Sequence, residues 1–351
     1  MSTFGFELYR DDIGELLASG LEIAKECHDK AEIAFCLMFA GKNQNRPDFA
    51  PASVPLFEES LQYFQDINDQ YYVAELNSCL GHHAQAIELQ RQIGNFYGAA
   101  SSISALAWAN FFNCNFDEAD RFAREAISRL QDIGDLYGVT STMNLRVINA
   151  SYAEQVDEAR LLNKEVLKLV SKLNYRWSQS LYFAHESLLT IILDEDYMRA
   201  QQLSDEAIRL AKTGKVSHLV FWYLVSGINT CALADHQMAR KQYRQALNQK
   251  VALTFEYFFD ILLSGMIFAQ EGKAVQAIEC LSLARHLPAV PETWFAHWTL
   301  PEQIRGQLEA KLPHADYSAA WERGKTLNLD TVLYELHASA ISGDNSLVAA
   351  G

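Results

Sequence analysis

Residues 116–138 read FDEADRFAREAISRLQDIGDLYG, and a close variant, VDEARLLNKEVLKLVSKLNYRW, returns over 156–177. Each phrase opens on an acidic pair, continues with apolar residues at three- and four-residue spacing, and sets a small Ala (Ala119, Ala159) among larger side chains. That spacing predicts amphipathic helices, and carboxylates in a first turn stabilise the positive end of a helix. A phrase that recurs predicts a structural unit that cannot bury its apolar face alone and stacks on its neighbours.

Further along, the small residue recurs as Ala200, Ala239 and Ala277, at steps of 40, 41, 39 and 38 residues counted from Ala119. Seven residues after each comes Ala126, Val166, Ala207, Ala246 and Ala284, and twelve before each comes Ala107, Val147, Leu188, Gly227 and Gly265. Antiparallel helices approach closely where the crossing side chains are small, and an offset of seven returns to the same helix face. The prolines stand at 47, 51, 55, 288, 291, 301 and 313, so 56–287 reads as helix after helix. At the joints, Gly94 and Gly134 suit left-handed helix ends, Asn95 and Asp135 suit the caps that follow, and Asn174 holds the equivalent place in the third copy.

Outside the regular repeats of 96–287, the pattern loosens. Segments 11–30 and 31–42 predict two helices, followed by a Pro-containing loop over 43–55 and a shortened unit between INDQ (67–70) and IGNF (93–96). Residues 288–340, around Trp294, Trp298 and Trp321, are expected to form a polar-faced closing cap. A flexible N-terminus (1–10) and a disordered tail (341–351) flank a single domain over 11–340. Hydrophobic residues make up 49% of the 351, enough for a substantial core. A formal net charge of −15 argues against nucleic acid as partner, which needs a basic footprint, and favours a basic one. No apolar run is long enough to span a membrane and no secretory signal is visible, so a cytoplasmic location is expected. The six cysteines lack any CxxC spacing and are expected to be buried free thiols.

Small residues at relative positions 8, 20 and 27 of a helix pair are the tetratricopeptide pattern, and SALAWANFFNCNFDEADRFAREA (104–126) resembles it. PLFEESLQYFQDIND (55–69), RLQDIGDLYG (129–138) and AAWERGKTLNLDTVLYEL (319–336) are similar to the C-terminal repeat arrays of bacterial signal-transduction ATPases with numerous domains, including LuxR-type regulators. The resemblance covers about residues 10–340. It implies an all-α, right-handed solenoid superhelix of about eight or nine helix pairs, with a period near 40 where 34 is usual. Those ATPases carry a nucleotide-binding module ahead of the array. In these residues the nearest approach to a phosphate loop is ERGKT (322–326), where the first glycine of the motif would be Ala319. Gly324 is expected to end the helix that carries Trp321, and ATP binding is not carried over.

No motif carries chemistry. His82, His83, Cys27, His28 and His297 stand at no metal-ligand spacing, and no nucleophile elbow or Gly-rich phosphate loop is present. The expectation is therefore a non-catalytic chain without cofactor or metal. The resemblance implies that the first helix of each pair lines a concave face. Its stripe runs through Ser101, Ser104, Trp108 and Phe111; Ser141, Asn144, Ile148 and Tyr152; Tyr182, His185, Leu189 and Ile192; then Phe221, Leu224 and Ile228; and Phe259, Leu262 and Met266. Two readings stand side by side: aromatic rings with nearby amides suit a peptide groove, and tightly wound repeats bury the same stripe as core. Phe221, Phe259 and Met266 fit core better. Ser104, Trp108, Phe111, Asn144, Tyr152, Tyr182 and His185 are the candidate groove residues. The implied function is a scaffold that binds a protein or peptide in bacterial signalling or regulation, with a separately encoded ATPase or effector as a candidate partner. The alternative is a sensor domain for a small molecule or signalling peptide, separated from an ATPase regulator.

Overall fold

The computed structural model describes residues 11–44, 50–173, 175–214, 219–248, 256–287, 294 and 297–342. The expected flexible terminus 1–10, residues 343–351 of the expected tail 341–351, Asn174 and much of the start of the expected cap lie outside these, whereas residues 341 and 342 of that tail are helical. Among the described residues the chain is all helical, with eighteen helices and no strand. They begin with α1 (Asp11–Glu26), α2 (Lys30–Gln44), α3 (Ala50–Asp66), α4 (Gln70–Cys79) and α5 (His83–Gln92). Next come α6 (Phe96–Phe112), α7 (Phe116–Ile133), α8 (Leu136–Tyr152), α9 (Val156–Val170) and α10 (Arg176–Asp194). After them run α11 (Tyr197–Thr213), α12 (Val220–Ala232), α13 (His236–Leu247), α14 (Tyr257–Gln270) and α15 (Ala274–His286). Helices Leu300–Glu309, His314–Thr326 and Leu329–Ser342 complete the chain. The chain falls into two compact units, one running to Asn149 and the other starting at Ala150, with the boundary inside α8.

In the first unit, α2 packs on α3, α4 on α5 and α6 on α7. Its early core gathers Ala34, Met38, Phe57, Phe64, Val73 and Leu76, with Phe35 set edge-on to Phe64 and Tyr72. Three results refine the sequence reading here. The Pro-rich stretch is helical from Ala50 onward, and Pro55 lies inside α3, so 50–55 of the expected loop are helix. The shortened unit appears as two ten-residue helices, α4 and α5. Cys27 and Cys114 are exposed, because both sit in corners between helices where side chains point outward. In the second unit α10 packs on α11, α12 on α13 and α14 on α15.

The corners follow from the residues at them. Gly94 and Gly134 take positive φ, of 72° and 80°, a region that costs glycine no steric strain. Directly after them, the Asn95 and Asp135 side chains accept the backbone N–H of Gly98 (2.9 Å) and Gly138 (3.0 Å). This satisfies donors that no helical carbonyl reaches. Helix starts at Phe96, Phe116, Leu136, Val156 and Arg176 follow at twenty-residue steps. Ala119, Ala159, Ala200, Ala239 and Ala277 are all fully buried, as are Ala126, Val166 and Ala207. At Gly227 an added Cβ would meet the Leu263 Cδ2 of α14 at 2.5 Å, so a larger residue at this close crossing would displace the end of that side chain.

The C-terminal helices fold back onto the second unit. Helix His314–Thr326 packs on α15 and helix Leu329–Ser342 on α13, but Trp294 and Trp298 are buried inside the second unit. Gly324 is no helix end either. It is a buried residue of the last turn, with the backbone at Leu327 already extended, and it packs against the α15 backbone at Glu279. The Ser282 hydroxyl donates to the Trp321 carbonyl beside it (2.7 Å).

Candidate functional site

The candidate stripe lies on α6, α8, α10, α12 and α14, and the structure places its residues in different settings. In the first unit, Ser104 and Trp108 on α6 are half-buried and Phe111 is buried. The Ser104 hydroxyl pairs with that of Thr142 on α8 (2.9 Å), so these two helices lie side by side at that level. Trp108 stacks on Phe112 (5.8 Å between centroids, 30° between planes) and meets Phe111 edge-on (6.2 Å). Phe112 is 39% exposed, so the stack presents an aromatic surface to water. Asn144 on α8 is fully buried. Its amide donates to the Thr140 carbonyl one turn earlier (3.1 Å), while its Oδ1 has no partner.

In the second unit the stripe is closed. Tyr152, Tyr182 and His185 are all buried. The Asn163 amide of α9 donates to the Tyr182 carbonyl (3.3 Å) and to the Glu186 carboxylate (2.9 Å), which ties α9 to α10. Burial, with the Glu186 carboxylate adding to it, raises the Tyr182 phenol above its ordinary value. His185 is 3% exposed, its Nδ1 has no partner, and burial lowers it to about 3, so the ring is a neutral imidazole near neutrality.

From His185 a line of rings crosses the first helices of the second unit. His185 on α10 meets Phe221 on α12 (5.8 Å), Phe221 meets Phe259 on α14 (5.7 Å), and Phe259 meets Trp294 (5.6 Å). Trp294 in turn lies 4.8 Å from Tyr152 at the end of α8 and 5.5 Å from Phe258. The structure thus brings Tyr152 and His185 into one aromatic seam, at opposite ends, with a residue from beyond α15, Trp294, linking Tyr152 to the rest. Sequence reasoning placed Trp294 in a terminal cap. The available signal was composition: TWFAHW (293–298) is unusually aromatic and stands between Pro291 and Pro301.

Among the described residues no three His, Cys, Asp or Glu side chains lie together in a way that could hold a metal ion. No described helix is long and apolar enough to cross a membrane. Within ERGKT, Lys325 pairs with Glu322 (2.6 Å) and the Thr326 hydroxyl donates to the Arg323 carbonyl (3.0 Å). In comparisons with known proteins, the sequence matches no family model and no curated protein.

Proposed function

We propose that this chain is a non-catalytic binding scaffold of the tetratricopeptide type, which holds a protein segment or peptide against its first helices. The observation that carries this reading is the Trp108–Phe112 stack, half-open to water on α6 beside the Ser104–Thr142 pair. Aromatic rings give large contact area at low entropic cost, and flanking hydroxyls can hold a peptide backbone. Elsewhere on the stripe the same residue types are closed into core, so the first unit offers the accessible part of the face. The test is affinity capture with the wild-type chain and with Trp108→Ala, after thermal melting shows both folded. A protein retained in stoichiometric amount by the wild type and lost by the variant supports the reading. Equal retention by both sinks it.

A second reading, a sensor for a small molecule, draws on one feature. His185 keeps a buried nitrogen without a partner inside an aromatic seam, and a buried polar atom without a hydrogen bond is costly unless a ligand or water meets it. A thermal-shift screen in which a metabolite raises the melting temperature, while no protein is captured, selects this reading.

A further inference from the structure

Charge is spread unevenly over the second unit. Its helices α9, α11 and α13 each present two exposed cations one turn apart: Lys164 and Lys168, Arg209 and Lys212, Lys241 and Arg244. Like charges at that spacing repel, and carboxylates on the same helix commonly offset them. On α7 of the first unit they do so, where Arg121, Arg124 and Arg129 pair with Glu118, Asp120 and Glu125. On α13 they cannot, because 236–247 holds no Asp or Glu. Arg209 has Glu206 (2.6 Å), but among the described residues no carboxylate pairs with Lys164, Lys168, Lys212, Lys241 or Arg244.

The helices bring these side chains to one edge. The Gln179 amide, early in α10, donates to the Val170 and Leu173 carbonyls at the end of α9 (3.1 Å each). The exposed Arg176 guanidinium, in the first turn of α10, donates to the Thr213 hydroxyl at the end of α11 (3.2 Å). The Lys212 ammonium stands 5.7 Å over the Tyr223 ring in the first turn of α12. After a short corner α13 packs back on α12, so its end returns to the same side. Cations near a helix C-terminus complement its dipole, which accounts for Lys168, Lys212 and Arg244. It does not account for Arg176, a cation at the positive end of its helix, or for Lys241 in the middle of α13.

We propose that this edge, built from Lys164, Lys168, Arg176, Lys212, Lys241 and Arg244, is a docking surface for an acidic segment of a separate protein. Charge complementarity commits it to that occupant. A second copy of this chain fits less well, because carboxylates at the opposite edge of the unit are already engaged. Asp194 is held by Arg160, Glu195 by Thr299, and Asp196 and Asp235 by the backbone N–H groups of Arg199 and Met238. A nucleic acid fits less well too. The chain has a formal net charge of −15 in spite of this edge, so its remainder repels an extended polyanion. A short acidic segment stays close to the cations, and salt screens it from charges beyond about 8 Å. This surface is separate from the Trp108 face and does not rest on the reading of the first helices as a ligand groove.

The test uses the full chain and a fluorescent peptide of alternating Glu and Ala, with polarisation as the readout. Wild type is expected to bind it at low salt, with an affinity that falls as salt rises. Lys212→Gln/Arg244→Gln should bind it at least about tenfold more weakly. Lys25→Gln/Lys311→Gln removes the same charge from exposed positions off this edge and should bind as wild type does. All four substituted side chains are exposed, and thermal melting checks that each variant folds. Absence of binding by wild type overturns the proposal, as does equal weakening in the two variants or equal binding of the peptide with Gln in place of Glu. Tighter binding of an oligothymidylate of matched length overturns it in favour of nucleic acid. Salt-sensitive dimerisation, read by light scattering and lost in Lys212→Gln/Arg244→Gln, overturns it in favour of a second copy. None of these outcomes decides the Trp108 test, which probes the first unit.

Discussion

A methyl group added at Gly324 would lie 2.5 Å from the Glu279 carbonyl oxygen and 2.6 Å from the Ser282 Cβ, both on α15 and neither at the end of a flexible side chain. Gly306, in helix Leu300–Glu309, has nothing within 4 Å of the same position. Gly324→Ala is therefore expected to destabilise by about 1–3 kcal/mol through forced separation of two helices. Gly306→Ala should stabilise by about 0.5–1 kcal/mol through helix propensity alone. Urea midpoints measured side by side decide it, and a shift of the same sign at both sites would refute the close crossing. His185 makes a second prediction at this scale. Its folded-state value is depressed to about 3 by burial, below the 6.5 of an exposed imidazole. The unfolded chain therefore takes up the proton first as pH falls, and the stability that the neutral ring retains above pH 6.5 is lost progressively down to about pH 3. The slope is at most about 1.4 kcal/mol per pH unit. His185→Leu should flatten the stability profile between pH 6 and 4 relative to wild type.

Among the elements, helix pairs obey a rule written in small side chains. Ala126 on α7 is completely enclosed, and α6 packs against that helix. Ala126→Leu is expected to cost roughly 1–3 kcal/mol, because three added carbons have no space at a close crossing. An unchanged melting temperature would show that the register has been misread. This part of the fold was legible from the chain because its causes are local. Small residues recur at intervals near 40, left-handed Gly closes one helix, and Asn or Asp caps the next. The partly open aromatic pair on α6 was legible through Trp108, though its stacking partner Phe112 falls one position off the stripe. Trp294 was not legible in the same way. Its partners, Ser151 and Tyr152, are separated from it by most of the second unit, and no periodicity links a single indole to a helix end so far back in the chain. Gly324 misled for a related reason: a glycine near a helix end fits both a left-handed cap and a close crossing, and only the presence of α15 decides between them.

Over the whole molecule, neighbour-to-neighbour packing makes stability close to a sum of local terms. Nothing in such a sum requires the two compact units to unfold together. The tryptophans provide a means to ask. Trp108 is the one Trp before the boundary at Asn149, whereas Trp177, Trp222, Trp294, Trp298 and Trp321 all follow it. Fluorescence therefore reports chiefly on the second unit, while far-ultraviolet circular dichroism weighs the helices of both. The second unit also has the long-range ties of Trp294, Trp298 and Thr299, which join elements that neighbour packing alone would leave separate. These ties should raise its cooperativity and place its transition at higher denaturant than that of the first unit. The expected outcome is a circular-dichroism curve that begins to fall before the fluorescence curve does, the usual sign that two-state behaviour has failed. Trp108→Phe removes the minor first-unit signal and should leave the fluorescence midpoint where it was. Curves that superimpose at every urea concentration would mean that the boundary inside α8 carries full cooperativity, and that the array unfolds as one block.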